Sequence, residues 1–368
     1  MASPVADSYG CASGGVIAAG KVYWPAWRRA MAVGTWANPG SNTLGDLDPK
    51  LDPLVNPNYP GDAPWKGITG QVSVVSAWSG AAWDEATRSL YITGGGHGDY
   101  AGNEVYKWDA LTGAFARINK PSGAIGNTGT LNDGNDATNP CYFDGKPRSA
   151  HNYGNLQMVA GEFWNFQGSN YANGFGVRSA FKLVGSEFVR QTTRTFGSSY
   201  GMTIWDSARS RFLLISSGNG QPQWWKPSDD TLGQMAHWTN NDQQEAFGVY
   251  DSRRDIVLQF SRYVTCFKCD DTADAATITA SGTPPNWVTY TALGYPSRSS
   301  VVYDYANDRY LVWGNGASIY ILTPPTVGQN PLAATWVWSQ IDPAVGNSVT
   351  PTAAASNGTY GRFWYSPF

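Results

Sequence analysis

One pattern recurs along this chain and restricts its fold more than any other feature. Two apolar or aromatic residues are followed by Asp, a turn of five or six residues, and a second apolar run. Ala82-Trp83-Asp84 leads to Leu90-Tyr91-Ile92, and Ile204-Trp205-Asp206 leads to Phe212-Leu213-Leu214. Val249-Tyr250-Asp251 leads to Ile256-Val257-Leu258, and Val302-Tyr303-Asp304 leads to Tyr310-Leu311-Val312. The intervening residues are turn-formers and charges, so each Asp is expected to cap its turn through backbone amides.

A copy without Asp runs through Met158-Val159-Ala160 to Glu162-Phe163-Trp164, and another begins at Phe363-Trp364-Tyr365-Ser366, where the sequence ends at Phe368. The anchors 84, 160, 206, 251, 304 and 366 are spaced by 76, 46, 45, 53 and 62 residues. Periods of about 40 to 50 residues, each holding four short strands, are the signature of a β-propeller. Helical periodicity is absent over any long window. The longer intervals hold insertions, chiefly 122–147, rich in Asn, Asp, Gly and Thr.

The expectation is an all-β chain whose residues 1–368 form a single propeller domain of six four-stranded antiparallel blades. Seven is the alternative if residues 14–70 build a blade of their own. A ring left open would expose an unpaired edge. Residues 14–27, GGVIAAGKVYWPAW, read as two strands that complete the last blade and bring the termini together.

Composition narrows the function. Charged residues are 14% and aromatic residues 14% of the chain, so it is folded but sparsely charged. The net charge is −3 and no basic run occurs, which argues against a nucleic-acid partner. No apolar stretch reaches bilayer-spanning length. The N-terminus has no basic segment ahead of an apolar run. The protein is therefore expected outside the cell after loss of a leader, or in a virion. Cys266-Phe-Lys-Cys269 is a lone pair of cysteines, read as a loop disulfide or two thiols, with a metal site as the minor alternative.

The segment Leu90 to Asp109, LYITGGGHGDYAGNEVYKWD, is the densest in candidate chemistry. Three glycines open backbone conformations closed to other residues, and His97, Asp99, Tyr100 and Glu104 follow. His titrates near neutrality, and Asp99 could set the tautomer of His97. Arg148, His151 and Tyr153 begin the next blade, where their chemistry suits β-elimination from a uronic acid. Arg would neutralise the carboxylate while His or Tyr moves the proton. The competing interpretation of both clusters is structural: polar networks and Arg–aromatic pairs also hold blades together.

Tyr200, Arg298 and Arg362 precede inner strands and would line a central funnel with Gln243, Gln244 and Glu245, and Tyr200 is the alternative to Tyr153 as proton donor or acceptor. Trp224 and Trp225 are expected in a polar loop as a stacking platform for sugar rings, or else as cover for a blade edge. Asn132-Asp133-Gly134-Asn135-Asp136 loosely matches a calcium loop but lacks the closing Glu. No other cofactor or metal is expected.

The repeat, with apolar pairs before Asp and GGGH after the second strand, resembles the kelch-type, galactose-oxidase-like propeller superfamily. SAWSGAAWD through GGGHGDYAGNEVY is also similar to a group of bacterial and phage propellers in which Arg-x-x-His-x-Tyr follows, here Arg148-Ser149-Ala150-His151-Asn152-Tyr153. Some propeller polysaccharide lyases, such as ulvan lyases, are similar in fold and in the residue types His, Tyr and Arg. With three histidines and no recognisable ligand context, copper chemistry of the oxidase kind is not expected. The resemblance implies a protein that recognises a polysaccharide or surface glycan and cleaves it by elimination. The alternative is a phage or cell-surface propeller that binds a receptor without catalysis.

Overall fold

The computed structural model describes residues 16–18, 21–23, 25–55, 67–122, 139–171, 178–196, 201–215, 222–235, 246–260, 263–272, 274–284, 300–352 and 357–366. Five antiparallel sheets of the propeller kind stand among them. The first blade runs Ala81–Asp84, Ser89–Ile92, Tyr106–Asp109 and Ala114–Arg117. The second holds Leu156–Val159, Glu162–Asn165, Phe181–Val184 and Glu187–Arg190. The third holds Met202–Asp206, Arg211–Ile215, Gln223–Lys226 and Thr231–Gln234. The fourth holds Phe247–Asp251, Ile256–Phe260, Val264–Lys268 and Ala275–Thr277. The fifth holds Ser300–Asp304, Arg309–Trp313, Ile319–Thr323 and Thr335–Ile341.

From the second strand outward, burial falls along each blade. In the fourth, every residue of Ile256–Phe260 is buried, whereas Ala275–Thr277 is partly exposed. A second strand has its neighbours in the sheet on both sides and adjacent blades on both faces, so it reads as a continuous apolar run rather than an alternating one. The innermost strands of blades one to five follow one another in chain order around the centre.

The repeated Asp does what its position suggests. Asp84 accepts from the Ala86 amide (3.1 Å) and the Thr87 hydroxyl (2.6 Å). Asp206, Asp251 and Asp304 accept from the amides of Arg209, Arg253 and Asn307 respectively. Four residues after each Asp, Arg88, Ser210, Asp255 and Asp308 turn the chain with φ between +51° and +53°. In blades three to five these turns are joined by ion pairs. Arg209 reaches Asp255 at 2.5 Å, and Arg254 reaches Asp308 at 2.7 Å.

Blade number and closure differ from expectation. Among the described residues there are five blades, where six or seven were expected. Val16–Ala18 pairs with Lys21–Tyr23 and adds no strand to the last blade. The fifth blade is complete from its own chain and gains Thr279–Ser281, parallel to its outermost strand. The sixth anchor belongs to a segment, 357–366, that fills the seam between blades five and one. There Phe363, Trp364 and Tyr365 pack on Val302, Leu311 and Ile321 of blade five. On the other side Arg362 donates to the Ser79 carbonyl, and Ser366 donates to Glu85. The segment 25–55 straps the same seam from outside. Trp27 donates to the Ala110 carbonyl of blade one, and Trp36 donates to the Ala317 carbonyl of blade five. The anchor at 366 is not a blade marker because residues 363–365 pack across the seam on blade five instead of pairing as an inner strand.

Candidate functional site

The loop after the second strand of blade one meets the approach to blade two's inner strand. Gly94 and Gly95 take φ of +120° and +106°, conformations in which a Cβ would clash with its own backbone. Gly96 lies so close to blade two that an added Cβ would sit 2.3 Å from Cα of Ala150. This contact brings the exposed His97 beside the buried His151, with ring centroids 5.4 Å apart and edge-to-face.

His151 anchors the cluster. Its Nε2 is 2.9 Å from Oδ2 of Asp99. The other oxygen of Asp99 accepts from the Thr69 hydroxyl, and the Asp99 carbonyl accepts from the Thr69 amide. A carboxylate facing Nε2 places the ring proton there and leaves Nδ1 as the basic nitrogen. Burial nonetheless pushes the imidazole down to about 4, outweighing the upward pull of Asp99. His151 is therefore neutral at physiological pH.

Aromatic rings surround it. Trp78 lies 4.9 Å from the His151 ring, Tyr153 lies 6.2 Å away, and Tyr360 lies 5.8 Å beyond Tyr153. Four members of this cluster have left-handed backbones: Trp78 (φ +36°), His97 (+46°), Tyr153 (+47°) and Tyr360 (+35°). Such conformations are uncommon for bulky residues, and each costs on the order of 1–3 kcal/mol unless its surroundings enforce it.

Other expected site residues, and Tyr153 within the cluster, are withdrawn from solvent. Arg148 is 1% exposed, and its Nε donates to the Cys141 carbonyl at 3.1 Å. It is packed inside the entrance to blade two rather than presented to a funnel. Tyr153 is buried, with its hydroxyl 3.2 Å from Oγ of Ser169. Tyr100 and Tyr106 both donate to one oxygen of the buried Glu104, at 2.8 and 2.6 Å. Burial raises all three in pKa. Tyr100 and Glu104 thus form a core network and no binding surface.

Trp224 and Trp225 lie in the third strand of blade three, not in a loop, so they point to opposite faces. Trp225 is buried among Trp164, Phe166 and Phe212, while Trp224 is half-buried beneath the Arg211 guanidinium, 5.2 Å from its ring. A paired stacking platform is excluded by this alternation. Cys266 and Cys269 are buried free thiols, raised by burial, Cys266 to about 12. Tyr200, Arg298, His237, Gln243, Gln244, Glu245, Cys11 and the loop Asn132 to Asp136 lie outside the described residues. No group of three or more His, Cys, Asp and Glu residues suited to a metal ion occurs among the described residues.

The ring encloses a cavity of about 380 Å³ at the turn-side end of the inner strands. Trp83, Met158, Ile204, Val249, Tyr303 and Trp364 contribute to its wall. Among the described residues its wall is largely apolar, and none of the site candidates that are described lines it. Sequence reasoning passed over Thr69 and did not give Trp78 a role. The only available signal was that Trp78 stands just ahead of the first inner strand.

No family model matches the chain, and no curated protein matches it. Among solved structures, a fungal alcohol oxidase of the AA5 family in complex with copper aligns at 11% identity and a TM-score of 0.44. The alignment covers 74% of this chain, which spans 55% of that oxidase. The major Malassezia sympodialis allergen Mala s 1 aligns at 9% identity and a TM-score of 0.46, covering 78% of this chain and 90% of the allergen.

Proposed function

We propose that this chain is a carbohydrate-recognising propeller whose ligand docks at the aromatic cluster around His97, Trp78 and the His151–Asp99 pair. The observation that carries this reading is the gathering of four left-handed aromatic residues around one buried histidine. Strain of this kind persists where surrounding structure over-determines it, and it concentrates at ligand sites. His97 is the exposed member and can touch a ligand directly. Asp99 and Thr69 hold His151, which positions His97 from behind. Aromatic faces suit sugar C–H surfaces, and imidazole and carboxylate groups suit hydroxyls. A surface glycan as ligand is consistent with a protein that works outside the cell or on a virion.

A more specific reading is elimination on a uronic-acid-containing glycan. It is favoured by the adjacency of an exposed imidazole and a neutral buried one. The proton on C5 would pass to His97, the C4–O bond would break as the C4–C5 double bond forms, and the leaving oxygen would take its proton from the imidazolium so formed, which returns His97 to its neutral state. Arg148 has no part in this, since its buried position keeps it from a substrate carboxylate.

The test is a glycan array followed by incubation with uronic-acid polysaccharides, reading the ultraviolet absorbance of the unsaturated product. Binding lost in His97→Ala supports recognition at this cluster, and product formation lost in the same variant supports elimination. Binding without product leaves a receptor-binding propeller. Absence of binding across both neutral and acidic glycans would contradict the proposal.

A further inference from the structure

A second cavity, of about 400 Å³, lies at the seam where the terminal segments meet blade one. Five tryptophans from separate parts of the chain line it: Trp27, Trp36, Trp83, Trp108 and Trp364. All five are half-buried, which is unusual company for a seam that could have been sealed with aliphatic side chains. The charged residues in its wall are Arg28, Arg88 and Arg362, and no carboxylate lines it. In a chain of net charge −3, this is a local excess of positive charge.

Two of its polar groups carry an unmet demand. Arg88 is only 8% exposed, and its buried Nε has no hydrogen-bond partner. The indole N–H of Trp364 is likewise buried without a partner. Leaving a buried donor unpaired costs about 1–3 kcal/mol, more for a charged group. The neighbouring carboxylate, Glu85, accepts from the Trp83 indole and the Ser366 hydroxyl. Arg362 gives its guanidinium to the Ser79 and Gly358 carbonyls, and burial pushes its pKa down to about 10, so it remains charged at neutral pH.

We infer that this seam cavity is a binding site for an acidic saccharide, with the indoles stacking on the sugar and Arg88 and Trp364 donating to its carboxylate or sulfate. Indole faces and unpaired donors of positive charge together select a ligand with an apolar ring face and an anionic acceptor. The site stands apart from the histidine cluster in its residues and extends the glycan reading to a named charge class.

The experiment is a titration of the intact chain with glucuronate oligosaccharides and with neutral glucose oligosaccharides of equal length, followed by tryptophan fluorescence. Saturable change with the acidic series, at least tenfold tighter than with the neutral one, is expected. Arg88→Gln should reduce that affinity tenfold or more. Trp364→Phe keeps the ring and removes the N–H, and should reduce it severalfold even if the arginine variant folds poorly. Run in the His97→Ala background, from which the histidine site has been removed, the titration reports the seam alone, so failure of the histidine site and failure of the seam site are separately visible. Equal response to acidic and neutral sugars, or affinities unaffected in both Arg88→Gln and Trp364→Phe, would overturn the inference.

Discussion

His151 Nε2 lies 2.9 Å from Asp99 Oδ2, a contact that joins the entrance of blade two to the glycine-rich loop of blade one. It is a charge-assisted hydrogen bond reaching a nearly inaccessible ring, and it ties a fixed core position to an exposed loop.

The histidine should make the fold acid-sensitive. Its pKa is about 4 when folded, against an ordinary value of 6.5. Between these values the unfolded chain binds more protons, so stability rises with pH across that window. The contribution is fully present above about pH 6.5 and is lost as pH falls toward 4. Chemical denaturation at pH 7 and pH 4.5 should show a larger loss for the wild type than for His151→Gln. Equal losses in the two proteins would contradict the burial argument.

The two kinds of Asp turn should differ in weight. Asp206 is fully buried and accepts from Arg211 at 2.9 Å, while Arg211 also pairs with Asp271 at 2.8 Å, so Asp206→Ala strips a buried cation of one of its two carboxylates. A loss of about 3 kcal/mol is expected, the low end of the range for breaking a buried pair because Asp271 still compensates the charge. Asp84 accepts from an amide and a hydroxyl, and Asp84→Ala should cost only about 1 kcal/mol, as for loss of a capping side chain. Urea unfolding of both variants checks the order.

The adjacent tryptophans should separate in the same assay. Trp225→Ala should cost about 3–5 kcal/mol, because it empties a fully buried site among aromatic rings. Trp224→Ala should cost clearly less and leave glycan binding intact.

Residues 357–366 should act as a wedge. Removing them opens the contact between blades five and one, where Arg362 and Ser366 reach Ser79 and Glu85. Amide exchange in Ala81–Asp84 and Ser300–Asp304 should accelerate in the truncated chain, while the third blade stays protected. Uniform exchange across all five blades would contradict this role.

The blades were legible because each Asp84-type turn couples a local capping pattern to a fixed spacing. A single repeat could thus be recognised without knowing its neighbours. The closure was not legible. Trp364 and Tyr365 carry the same apolar signature as an inner strand, and only their packing across the seam on Val302, Leu311 and Ile321 distinguishes a wedge from a blade. Likewise, His97 and His151 could be brought to one rim by repeat position alone. The burial of Arg148, Tyr100 and Glu104 depends on contacts from distant segments, such as the Cys141 carbonyl on Arg148, that no local pattern encodes. Trp224 and Trp225 were misplaced because two aromatics after a Gly-Asn-Gly run look like a loop, although their strand simply begins there.

The most direct test of the central claim exploits the backbone of His97. At φ +46° a glycine is relieved of strain, so His97→Gly should fold at least as stably as the wild type. Glycan binding and thermal unfolding should be measured together on this variant. If His97 is held for a ligand, binding falls at least tenfold while the melting temperature holds or rises. A melting temperature that drops with binding unchanged would assign His97 to the scaffold and contradict the account.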